Sequence, residues 1–288
     1  MFTKREYGRI GELAFYDTLE SGLRLIVVPK RDFRRSLAFL AVNYGGADRR
    51  FRLGGNEYET PAGVAHFLEH KTFETEDGSD AMSIMGARGA NVNAFTASDM
   101  TAYHFDCVEG FQHNLETLLS FVSKPHFTDE SVEREKAIIA QEIKMGEDDP
   151  DHRIYYNLLR SLYRHHPLRD PVVGTAESIS GTDAELLRFC HSSFYVPANM
   201  CLVVVGDQDP IRVRTAAERI LPKERIEPPE VIHGPIEGEK PYKARKSEKM
   251  DVAETMFLAG IKTGAAKTSE DEIMHYATGD KSPYVAAG

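Results

Sequence analysis

What most constrains the fold of this chain is a change in hydrophobic period along it. The first forty-odd residues carry short apolar runs of strand type. Leu13-Ala14-Phe15-Tyr16 leads into a turn at Glu20-Ser21-Gly22, and Leu23-Arg24-Leu25-Ile26-Val27-Val28 follows, rich in β-branched residues and closed by Pro29. Residues 36–44 form a third such run, closed by Gly45-Gly46. From about residue 60 the apolar spacing becomes helical. Thr60 as N-cap and Pro61 as the first helical residue open a helix that carries residues 64–73, and a short helix covers 80–88. Two strands, 91–96 and 101–108, interrupt the helical run. Residues 111–124 then repeat Leu115, Leu118, Leu119 and Val122 at helical spacing, and Thr128 caps a helix to about residue 145 with apolar Val132, Ile138, Ile139 and Ile143. Helices at 153–163 and 183–194, a strand at 200–205 and a helix at 211–221 complete the series. Strands in runs, separated by runs of helices, predict an α+β domain over residues 1–222.

Residues 223–250 change character. Pro222, Pro228, Pro229, Pro235 and Pro241 sit in or beside a highly charged stretch, which reads as a linker. Beyond it, 253–261 reads as one strand and 251–288 as the start of a further domain.

Charge and composition exclude several functions. Lys and Arg total 35 against 45 Asp and Glu, a formal net charge of −10, which argues against a nucleic-acid partner. No apolar run approaches the ~18 residues of a membrane span. The N-terminal Met1-Phe2-Thr3-Lys4-Arg5-Glu6-Tyr7 has no apolar run behind it, so no secretory signal is expected. Cys107, Cys190 and Cys201 are odd in number and widely spaced, which predicts reduced thiols in a cytoplasmic protein.

The stretch with chemistry in it is His66-Phe67-Leu68-Glu69-His70. On a helix, positions i, i+3 and i+4 share a face. His66 and His70 therefore project together with Glu69 beside them. Two imidazoles one turn apart can hold zinc, and an adjacent carboxylate that does not ligate can accept a proton from water. The order His-x-x-Glu-His is the inverted zincin arrangement. A catalytic zinc takes a third protein ligand. The helix after Thr128 offers Glu130, Glu133, Glu135, Glu142 and Glu147. Glu135 and Glu142 are two turns apart and share one face. A solvated acidic face fits that spacing equally well. His165-His166-Pro167 reads as a solvated loop, and no phosphate-binding loop is present.

Taken together, His66-Phe67-Leu68-Glu69-His70, Asn93-Ala94-Phe95-Thr96, and Glu135 with Glu142 resemble the pitrilysin/insulinase family of zinc metallopeptidases, and most nearly its bacterial cytoplasmic members. Tyr44-Gly45-Gly46, Ile138-Ile139-Ala140-Gln141-Glu142-Ile143 and Gly174-Thr175-Ala176-Glu177-Ser178-Ile179 strengthen the resemblance. It implies a mixed, mainly antiparallel sheet packed with helices and one Zn2+ per chain. It implies His66, His70 and Glu142 as metal ligands, Glu69 as the general base and Glu135 as a catalytic support that orients a ligating histidine. Glu147, about 140° around the helix from Glu142, is the competing third ligand. Asn93 and Ala94 would lie on an edge strand to which an extended peptide substrate adds.

The chain departs from the family in one respect. Members are usually built from repeated domains, and the second supplies an Arg and a Tyr near the substrate. No segment here matches them, so residues 251–288 read as the truncated start of a second homologous domain. The expected partner is then a homologous subunit or a C-terminal half. The alternative reading is a non-catalytic or partner-dependent subunit that binds zinc or peptide without turnover alone.

Overall fold

The computed structural model describes residues 1–76 and 78–262. Strands β1 (Thr3–Tyr7), β2 (Glu12–Thr18), β3 (Arg24–Pro29) and β4 (Ser36–Val42) come first, followed by a small hairpin of β5 (Arg50–Leu53) and β6 (Asn56–Glu59). Helices α1 (Val64–Thr72) and α2 (Ala81–Gly86) precede β7 (Asn91–Thr96) and β8 (Thr101–Cys107). Helices α3 (Phe111–Ser123), α4 (Asp129–Asp148), α5 (Pro150–Leu162), α6 (Ala176–Ser180) and α7 (Ala184–Phe194) follow. Strand β9 (Met200–Gly206), helix α8 (Pro210–Ile220) and the two-residue β10 (Glu230–Val231) end the series.

Seven strands form one sheet in the order β1-β2-β3-β9-β4-β8-β7. Among the described residues its pairings are antiparallel except β3 with β9. The fold is therefore α+β on a mixed, mainly antiparallel sheet, as expected. The register aligns apolar rows across the sheet. Leu25, Leu202, Leu40 and Tyr103 lie side by side, as do Val27, Val204, Ala38 and Phe105, and all eight are fully buried. Their odd-even neighbours on β4 and β9 are only half-buried, the period of two that a one-sided helical layer imposes. At about 1.5–3 kcal/mol per buried large side chain, these rows join α1, α3 and α7 to the sheet.

Several sequence expectations change. Strand β1 and the β5–β6 hairpin were not foreseen, since their residues are largely exposed and carry little apolar signal. Thr60 does not cap α1; its hydroxyl donates to the Arg49 carbonyl at 3.3 Å, and Gly63 is the N-cap, with φ 96°. A Cβ at Gly63 would lie 2.7 Å from the Val173 carbonyl oxygen, so the helix start is set by close backbone approach. Ile138 is 55% exposed, whereas Val132, Ile139 and Ile143 form the buried face of α4. Residues 253–261 form no strand; Gly260 lies beside Leu158 and Leu162 of α5. Within the Pro-rich stretch, β10 pairs antiparallel with β5.

Candidate metal centre

Helix α1 buries Val64, Ala65, Phe67 and Leu68 on one side, which leaves its opposite face to His66, Glu69 and His70. The two imidazole centroids are 4.6 Å apart, and His66 is only 7% exposed. The helix start is held from outside. Gly63 packs on Val173, Gly174 (φ 77°) packs on the Ala62 carbonyl, and the Ser178 hydroxyl donates to that carbonyl at 2.8 Å. The stretch 174–179 thus fixes where the histidine helix begins.

Helix α4 begins with a reciprocal capping box between Thr128 and Ser131. Its buried Val132, Ile139 and Ile143 press it toward the core and bring the face of Glu135 and Glu142 onto α1. Glu135 Oε1 accepts from His70 Nδ1 at 2.9 Å. With Nδ1 as the donor, the Nε2 lone pair of His70 is free to ligate. Glu142 reaches both histidines, with its oxygens 3.5 Å from His66 Nε2 and 3.6 Å from His70 Nε2.

Those two separations are long for hydrogen bonds. Each Glu142 oxygen faces a different imidazole nitrogen, as a carboxylate and two imidazoles that share one ion would. His66, His70 and Glu142 form the group among the described residues whose ligand atoms lie within 4.8 Å of one another. The donor set of two neutral nitrogens and a carboxylate oxygen suits zinc, so the residues fit the ion. His66 Nδ1 is buried and has no hydrogen-bond partner among the described residues. Burial alone would lower the His70 pKa; the bond to Glu135 and the charges of Glu135, Glu69 and Glu142 outweigh it and raise the value. The His70 hydrogen bond lowers the pKa of Glu135 against its burial, and the facing His66 does the same for Glu142. Both carboxylates are thus held ionised, the form that ligates or orients a ligand.

The remaining candidates fall outside this group. Glu147 is exposed, Glu130 pairs with Arg134 and Glu133 with Lys136. Glu69 is half-buried and takes a hydrogen bond from the Thr96 hydroxyl at 2.7 Å. Asn93 and Ala94 lie on β7, the outermost strand at one edge of the sheet. Asn93 is exposed, and its side-chain oxygen accepts from the Ala94 amide at 2.9 Å. Thr96 carried no role in the sequence reading; its signal was its place two residues after Ala94, on the same half-buried side of the strand.

Two family models match this chain. Insulinase (Peptidase family M16) matches residues 54–176, and the Peptidase M16 inactive domain matches residues 182–276. The chain belongs to the M16, or insulinase, family of peptidases. A Bacillus subtilis M16 relative, named as an uncharacterized zinc protease, YmfH, is 40% identical over 262 residues, covering 90% of this chain and 61% of its own. The crystal structure of an M16-like peptidase from Alicyclobacillus acidocaldarius aligns with TM-score 0.75 and 39% identity, over 84% of this chain and 55% of that one. A protease from Helicobacter pylori, 21% identical with TM-score 0.68, covers 78% and 54% and shares the fold. The chain thus spans between 54% and 61% of the length of these relatives. No helix among the described residues is long and apolar enough to cross a membrane.

Proposed function

We propose that this M16 chain is the zinc-binding, catalytic part of an endopeptidase acting on extended peptides. The observation that carries the proposal is Glu142 facing the Nε2 atoms of both His66 and His70, at 3.5 and 3.6 Å, with Glu69 beside them and outside the ligand group. One Zn2+ per chain would be held by His66, His70 and Glu142. Once bound, zinc supplies a Lewis acid that lowers the pKa of a water and polarises a scissile carbonyl.

The other steps fall to the chain's own groups. Glu69 takes the proton of the attacking water and returns it to the leaving amine. Glu135 holds His70 in the tautomer that leaves Nε2 open. The outer edge of β7, with Asn93 and Ala94, would accept the substrate backbone as an added strand, a mode tolerant of sequence. Because the relatives are longer, a C-terminal half or a homologous subunit would close over the peptide. Three unpaired cysteines suit a reducing, cytoplasmic setting.

The test is zinc content together with cleavage of an unstructured peptide, with and without a chelator. Wild-type protein should hold one zinc and cleave, and the chelator should abolish cleavage. Glu69→Gln should keep the zinc and lose turnover by at least about 100-fold, the scale of a positioned general base. An E69Q protein that cleaves at the wild-type rate would remove Glu69 from the mechanism.

A further inference from the structure

The carboxylate of Glu69 is held from the edge strand. Among the described residues its hydrogen bond comes from Thr96 Oγ1, at 2.7 Å to Oε2. The neighbouring hydroxyls are committed elsewhere. Thr101 donates to the Tyr44 carbonyl at 2.9 Å, Tyr103 and Tyr195 pair through their hydroxyls at 2.9 Å, and Thr72 donates to the Leu68 carbonyl at 2.6 Å. Thr101 stands directly across from Thr96 in the ladder, and its oxygen lies 3.4 Å from Thr96 Oγ1. The 2.7 Å contact to the carboxylate is far shorter than this 3.4 Å one, so the Thr96 proton goes to Glu69.

Thr96 is itself fixed from behind. It is the last residue of β7, and the turn after it is clamped by the backbone of Gly46 and Ala47. These donate to the carbonyls of Ala97 at 2.9 Å and Ser98 at 2.8 Å. A Cβ at Gly45 would lie 2.5 Å from the Asp99 amide, so the two turns touch backbone to backbone. On the other side, β7 is the edge of the sheet among the described residues. A single hydroxyl thus joins the strand that ends the sheet to a carboxylate on the histidine helix.

We propose that Thr96 is the positioning residue for the base, transmitting the place of the edge strand to the Glu69 carboxylate. The proposal rests on the peptidase reading for its kinetic consequence and on the hydrogen bond for its structural one. A carboxylate that loses this donor keeps its place on α1 but not its orientation. Displacement of a reacting group by about 1 Å costs on the order of 100-fold in rate without weakening ground-state binding.

Valine keeps the shape and strand preference of threonine and removes only the hydroxyl, so T96V and T96S form the test pair. With an extended peptide as substrate, T96V should lose at least ~10-fold in kcat with KM changed less than about twofold. It should keep one zinc per chain, and T96S should recover most of the loss. A T96V protein with the wild-type kcat, or a T96S protein as slow as T96V, overturns the proposal. A readout independent of turnover is the Glu69 carboxylate stretch in the infrared, identified as the band lost in E69Q. It should shift in T96V and return toward its wild-type position in T96S. An unshifted band in T96V overturns the proposal whether or not peptide is cleaved. A shifted band in zinc-loaded protein that cleaves nothing upholds the Thr96 contact and overturns cleavage by this chain alone.

Discussion

The His70 nitrogen that does not face Glu142 already has a partner. Glu135 accepts from Nδ1 at 2.9 Å, and this fixes both the ring plane and the tautomer. His66 has no such support on its buried Nδ1 among the described residues, so the geometry of the pair leans on one carboxylate. Glu135→Gln keeps an acceptor near Nδ1 and removes the charge that raises the basicity of the ring. Zinc affinity should fall by about 10–100-fold, the usual range for the loss of a supporting group of this kind. Competition against a chromophoric chelator measures it. An E135Q protein with wild-type affinity would show that Glu135 has no hold on the metal through His70.

Helix α1 is short, nine residues, and it starts without a side-chain cap. Its placement comes from neighbours rather than from its own propensity. Gly63 and Gly174, both at positive φ, let the chain segments around residues 62 and 173 touch, and Ser178 closes the contact onto the Ala62 carbonyl. A Cβ at Gly174 would sit 2.6 Å from that carbonyl. Gly174→Ala should therefore destabilise the protein by on the order of 1–3 kcal/mol, through both strain and displacement of the helix start. Thermal unfolding measures the loss, and zinc content of the folded fraction tells whether the histidine pair survives it. An unchanged melting temperature would show that the 174–179 segment merely lies against the helix. Helix α4 is the opposite case. Its capping box, its buried face and the seven-residue spacing of Glu135 and Glu142 are all local, so its geometry follows from its own residues.

Across the whole molecule, the Pro-rich stretch is tied back to the domain at Glu237. One oxygen of this carboxylate accepts from the amides of Arg164, His165 and His166 at 2.9, 2.5 and 2.9 Å, and the other faces Lys262 Nζ at 3.3 Å. Burial alone would raise its pKa; the three amides and Lys262 outweigh that and hold it at about 2. A carboxyl whose folded pKa lies below its ordinary value of 4.5 stabilises the fold above that value. The contribution is lost as pH falls from there through about 2. The melting-temperature difference between wild type and Glu237→Ala should be constant from about pH 7 to pH 5, shrink below pH 4.5 and vanish near pH 2. A difference that persists unchanged at pH 2 would mean that the carboxylate charge is not what holds the segment. The three amides follow α5 in the chain, and a residue more than seventy positions away accepts from all of them.

The sequence by itself determined the periodic elements and the histidine pair. A helical or strand period, a cap such as Thr128, and a spacing of three, four or seven residues are properties of neighbouring residues, and they hold before any tertiary contact forms. That is why α4, β7, β8 and the face shared by His66, Glu69 and His70 were legible. The tertiary structure alone decided the rest. The nearness of Glu142, already implied by the family resemblance, to both histidines depends on how α4 packs on α1. The insertion of β9 between β3 and β4 depends on which strand completes the buried rows. The Thr96–Glu69 contact joins residues 27 positions apart, and the Glu237 tie joins residues more than seventy apart. Each is a pairing of groups remote along the chain, and such pairings are set by where the apolar faces are buried, which no local spacing records.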